Sequence, residues 1–115
     1  MTDLGARILE EIRALPSPED GWEVPPPVFR EMEGTFVSYE EGRSLEIEFP
    51  LFDRYAGPTG MTQGGVLATA FDNAYGPLAF LAAREFAVTL SLDASFVRPL
   101  PVAAGSFTVE ASVVE

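Results

Sequence analysis

The chain has 115 residues, eighteen acidic and seven basic, for a formal net charge of −11, a field that repels polyanions and speaks against nucleic acid as a partner. It contains neither cysteine nor histidine, which excludes disulfides, thiolate metal sites and thiol catalysis and leaves Asp and Glu as the acid–base groups near neutral pH. With 47% apolar and 22% charged residues, the composition fits one globular domain with a single core.

In chain order, Leu4, Ile8, Ile12 and Leu15 recur at spacings of three and four, which predicts an amphipathic helix over 3–15. The start has no basic stretch followed by a long apolar run, and no apolar stretch is long enough to span a bilayer. A cytoplasmic location and no membrane partner are therefore expected. Pro16 and Pro18 end the helix, and the stretch through Trp22 and Pro25-Pro26-Pro27 reads as an extended connector that Trp22 pins to the body. Residues 1–29 thus form an N-terminal helix and connector, and residues 30–115 the main domain.

Thr35–Tyr39 and Ser44–Phe49 read as two strands joined by the turn Glu40-Glu41-Gly42-Arg43, with glycine where a positive φ is expected. Residues 50–63 carry two prolines and two glycines and read as a loop. From Gly64 onward Leu67, Phe71, Ala74, Leu78 and Leu81 make an apolar stripe that suits a helix packed on a sheet. Pro77 should kink that helix, because it offers no donor to the carbonyl of Asn73. Phe86–Val97 alternates most clearly, which predicts a long strand with one buried face. A last strand starts at Ser106, and its alternation is still running at the final residue. Together these elements predict an α+β domain with one helix covering an antiparallel sheet, whose edges invite self-association.

Helical geometry places Gly65, Ala68, Gly76, Ala79 and Ala83 within roughly 40° of Asp72. A carboxylate among such small side chains admits a close neighbour, either a ligand or a second helix. Gly64 and Gly65 open the same helix, where unpaired N–H groups and the positive dipole end suit an oxyanion. Asp72 lies eight residues beyond Gly64, a rise of roughly 12 Å, so one chain cannot set both beside one reacting carbon. Two such helices antiparallel about a twofold axis would form two composite sites per dimer. Arg54, Arg84 and Arg98 are the candidates for a local basic patch that meets a phosphate-bearing ligand, and Tyr55 is among the aromatic residues suited to a pocket wall.

The ordered set Arg54-Tyr55-Ala56-Gly57-Pro58-Thr59-Gly60, Gln63-Gly64-Gly65-Val66-Leu67-Ala68, Asp72-Asn73-Ala74, Thr89-Leu90-Ser91-Leu92 and Phe96-Val97-Arg98-Pro99 resembles the phenylacetic-acid-degradation type of hotdog thioesterase over residues 30–115. The resemblance implies a hotdog fold, hydrolysis of acyl-CoA thioesters without metal or organic cofactor, and a homodimer or homotetramer. By position it makes Asp72 the general base or nucleophile and Gly64 the N–H that polarises the thioester carbonyl, with Gln63 as the third catalytic position. Gly65, Asn73, Tyr55, Gly57 and Arg98 become substrate-binding positions. Two departures stand out: Gln63 replaces the family's usual histidine, and Gly57 replaces its usual asparagine. The family also continues with a further strand, so the domain is expected to lack its last one. Two other functions compete with hydrolysis, namely non-catalytic binding of acyl-CoA or a small ligand and a purely structural role in assembly.

Overall fold

The computed structural model describes residues 2–19 and 21–114. Met1, Asp20 and Glu115, which fall within the two expected segments, lie outside the described residues. Helix α1 (Asp3–Arg13) starts where Thr2 accepts a hydrogen bond from the Gly5 N–H at 3.0 Å, the usual service of an N-cap hydroxyl. Asp3 in its first turn and Arg13 in its last both complement the helix dipole. The helix buries Ile8, Leu9 and Ile12. Arg13 also reaches out of the helix and donates two hydrogen bonds, at 2.6 and 3.1 Å, to the Val24 carbonyl. The proline-rich connector is thereby tied to α1.

Within the proline-rich stretch the structure adds a short helix, α2 (Pro27–Met32). Proline at the first helical position loses no hydrogen bond there, and Phe29 and Met32 anchor the turn in the core. It ends at Glu33 in the left-handed conformation, with φ 54°.

Strands β1 (Thr35–Glu40) and β2 (Ser44–Pro50) form the expected hairpin, with Gly42 at φ 66°. The Tyr39 hydroxyl accepts from the Gly42 N–H at 3.0 Å, which fastens the turn. Strand β3 (Ser106–Ser112) pairs antiparallel with β2, so the sheet order is β1-β2-β3. Alternation along β2 sends Leu45, Ile47 and Phe49 into the core, where Val109 and Ala111 of β3 join them. Across that face lies α3 (Gly64–Ala83), which buries Ala70, Ala74, Leu78 and Leu81. The expected stripe is therefore shifted: Leu67 and Phe71 are only half-buried, and Ala70 takes the inner position. Pro77 does lie inside the helix, which ends at Arg84 with φ 59°. The architecture is the expected α+β hotdog arrangement, an antiparallel sheet around one long helix with α1 at its side.

One strong expectation fails. Residues 86–97 are not a strand in this chain, and they have no buried face. None of their backbone groups pairs with the three-stranded sheet. The segment runs instead along α3, with Phe86 against Phe80 at one end (centroids 6.0 Å apart) and Phe96 against Phe71 at the other (6.4 Å). Alternation encodes an extended backbone with two unlike faces, but a strand also needs a neighbour to bond to. Among the described residues no such neighbour exists.

Candidate active site

The expected site residues fall into three places around α3. At mid-helix Asp72 is exposed, and its Oδ1 accepts a hydrogen bond from the Thr89 hydroxyl at 2.5 Å. The contact occupies one carboxylate oxygen and leaves the other open. Thr89 entered the sequence reading only within the stretch Thr89-Leu90-Ser91-Leu92 and was given no site role there. Its signal was its place on the polar side of the 86–97 alternation, seventeen residues beyond the acid, a spacing that means nothing until the segment folds back along the helix.

Asp72 and Thr89 border a cavity of about 500 Å³ between α3, the connector and residues 86–89. The size lies within the range of small-molecule sites. Asn73 borders it too, but its amide donates to the Thr69 carbonyl at 2.8 Å and lies 3.9 Å from the Met32 sulfur. Its donor is thus largely committed to its own helix.

At the start of α3 the N–H groups of Gly64 and Gly65 find no acceptor among the described residues, as helix geometry requires of a first turn. Gln63 is the N-cap residue but makes no capping bond with its side chain. It lies over Gly57: a Cβ on Gly57 would come 3.6 Å from Gln63 Cγ and 3.9 Å from its Nε2. The two departures from the family pattern are therefore neighbours in space. The loop that carries them is rigidly braced, by Gly57 N–H to Met61 O at 2.7 Å, Thr62 N–H to Leu100 O at 2.7 Å and Val102 N–H to Gly60 O at 3.0 Å.

Beside Gly64 the Phe96 ring fills the space a side chain would take, 3.0 Å from an ideal Cβ. Arg98 and Gly64 share the wall of a separate cavity of about 310 Å³. Tyr55 stands apart from both. It packs edge-on against Phe52, with Arg54 over both rings at 5.3 and 4.2 Å from their centroids. Partial burial raises the Tyr55 phenol above its ordinary value, against the opposing pull of Arg54. Its backbone carbonyl accepts from the Gln63 N–H at 3.0 Å, so Tyr55 holds the entry to α3 through its main chain. Gly65 is exposed, with nothing within 4 Å of a would-be Cβ. A single chain thus gathers Asp72 with Asn73 and Thr89, and Gly64 with Arg98, but not the two groups together.

A sheet packed around one long helix defines a hotdog-fold protein, and solved structures of thioesterases share this fold. In particular, the chain superposes on a putative thioesterase, a phenylacetic acid degradation-related protein from Ralstonia eutropha, with TM-score 0.69, 27% identity and coverage of 94% of this chain and 75% of that one. Mouse thioesterase superfamily member 2 matches with TM-score 0.71 at 18% identity, over 100% and 77% of the two chains. A mutant thioesterase from Pseudomonas aeruginosa matches with TM-score 0.69 at 19% identity, over 93% and 71%. The latter two likenesses speak for the fold. No protein-family model matches the sequence, and no curated protein does. Among the described residues no helix is long and apolar enough to cross a membrane.

Proposed function

We propose that the protein hydrolyses acyl-CoA thioesters in a site shared between two copies of the chain. The observation that carries this reading is the Asp72–Thr89 pair, a carboxylate held by a hydroxyl at the edge of a largely apolar cavity. Asp72 acts as general base: its open oxygen takes a proton from water as that water attacks the thioester carbon. The C–S bond then breaks, and the proton passes to the departing thiolate. Thr89 fixes the carboxylate rotamer by its hydrogen bond.

The free N–H of Gly64, from the second copy, stabilises the carbonyl oxygen as it becomes negative, an effect with a typical value of a few kcal/mol. Gln63 donates a hydrogen bond at the same end, and Arg98 beside it meets the phosphates of the CoA moiety. Gly65 permits close approach of the pantetheine arm. No histidine exists to share the proton, so the acid–base step rests on Asp72.

Release of free thiol from a panel of acyl-CoA thioesters is the direct test. Asp72→Asn, which keeps the shape and removes the base, should lower kcat by roughly 10²–10⁴. Thr89→Val should lower it less, and Thr89→Ser should restore most of the loss. Wild-type turnover by Asp72→Asn would refute the assignment. A binding-only reading draws on Gly57, which offers no side chain to the site where the family carries an amide. It predicts an acyl-CoA-dependent rise in Tm without thiol release.

A further inference from the structure

The cavity beside Asp72 has a direction and an end. Asp72, Gly76 and Phe80 follow one another at intervals of four along α3, so the helical side of the cavity extends about 12 Å from the acid to the phenyl ring. Residues 86–89 line the opposite side in the reverse sense, Thr89 at the acid and Phe86 at Phe80. At the far end Trp22 stands against both phenyl rings, its ring 5.4 Å from Phe80 and 6.0 Å from Phe86 between centroids. The connector that brings Trp22 there is held by Arg13 on the Val24 carbonyl and by the Arg30–Glu23 ion pair at 3.1 Å.

Gly76 sits halfway along. Glycine is disfavoured inside a helix relative to alanine, and no packing within its own chain requires it here, because nothing lies within 4 Å of a Cβ at that position. The position borders the cavity beside Asp72 and also a second one of about 310 Å³ toward residues 91–93, so a side chain there would take up open space beside the acid. No Lys or Arg lines the cavity, so an acyl group that carries its own carboxylate would meet no counter-charge there.

We infer that this cavity is a length-limited channel for an uncharged acyl group, with Gly76 as its open floor and Trp22 as its end stop. The inference deepens the thioesterase reading and rests on it for the orientation of the substrate, with the thioester at Asp72 and the acyl terminus at Trp22. Trp22 and Gly76 are specificity-determining residues and take no part in the chemistry.

Trp22 is the single tryptophan of the chain, so occupancy can be read without turnover. Titration with octanoyl-CoA should shift its fluorescence, and acetyl-CoA, too short to reach it, should shift it little. In thiol-release assays Trp22→Ala should raise the octanoyl-to-acetyl ratio of kcat/KM, and Gly76→Leu should lower it, each by about tenfold or more. Gly76→Ala should raise Tm while it lowers the same ratio, a combination that a purely structural glycine does not produce. Absence of any fluorescence shift with octanoyl-CoA, or ratios in both Trp22→Ala and Gly76→Leu within about twofold of wild type, would overturn the inference. Fluorescence shifts graded by acyl length with no thiol release would sink the hydrolytic reading and keep the channel, with the ratios then taken from dissociation constants.

Discussion

Gly64 is constrained from two directions. Its N–H, at the start of α3, has no acceptor among the described residues, while the Phe96 ring covers its Cα at 3.0 Å from an ideal Cβ. Its φ is not in the left-handed region, so a side chain there is opposed by the ring and not by the backbone. Gly64→Ala must therefore displace Phe96 by a few tenths of an ångström, and the half-exposed ring can yield. We expect turnover per folded molecule to fall more than Tm does, because the methyl group stands in the approach to the N–H. The double variant Gly64→Ala with Phe96→Ala separates the causes. If the loss came only from the displaced ring, the double variant would match Phe96→Ala alone. If the methyl group obstructs the thioester, it stays slower than Phe96→Ala, and thiol-release kinetics normalised to the folded fraction by circular dichroism decide between them.

At the scale of elements, the junction of α2 and β1 has little room. A Cβ on Gly34 would lie 2.8 Å from Phe49 Cε1, 3.0 Å from Phe29 Cζ and 3.2 Å from Ile47 Cγ2, all three atoms of core side chains. Gly34→Ala should cost about 1–3 kcal/mol through overpacking. The neighbouring Glu33→Gly should instead add up to about 1 kcal/mol, since glycine accepts the left-handed cap without penalty. Urea denaturation of both variants checks the opposite signs. Periodicity made α1, the β1–β2 hairpin, α3 and β3 legible, because each buries one face against a partner within the chain. It missed α2, whose six residues are too few to show a helical period and whose Pro27 closes a run of three prolines that suggested extension. It misread 86–97 for a different reason: alternation reports faces, whereas a strand is defined by what it bonds to. The acid at 72 and the glycine pair at 64–65 were visible as a pattern on one helix. Thr89 and Trp22 were not visible as site residues, since both reach the cavity only through tertiary folding of segments without regular structure.

At the scale of the whole molecule, the unpaired segment and the proposed composite site call for the same remedy. Leu90 is 95% exposed and Val97 88%, within a run whose backbone makes no hydrogen bond among the described residues. Such an edge is a template for a second copy, and the proposed shared site requires that α3 of one chain meet α3 of the other. Light scattering at micromolar concentration should give the mass of two or four chains, and Leu90→Glu should shift it toward one chain with a parallel loss of turnover. The sharper test uses two inactive chains. In a mixed dimer of Asp72→Asn with Gly64→Val, one shared site carries both substitutions, whereas the other combines the intact Asp72 of one chain with the intact Gly64 of the second. Free exchange should therefore restore roughly a quarter of wild-type turnover, half the dimers being mixed and half their sites intact. A site contained within one chain predicts no recovery at any mixing ratio. Circular dichroism on the Gly64→Val chain ensures that it enters the mixture folded, and a mixture that stays as inactive as its parents after exchange is verified by native mass spectrometry would place Asp72 and its carbonyl-binding partner in the same subunit.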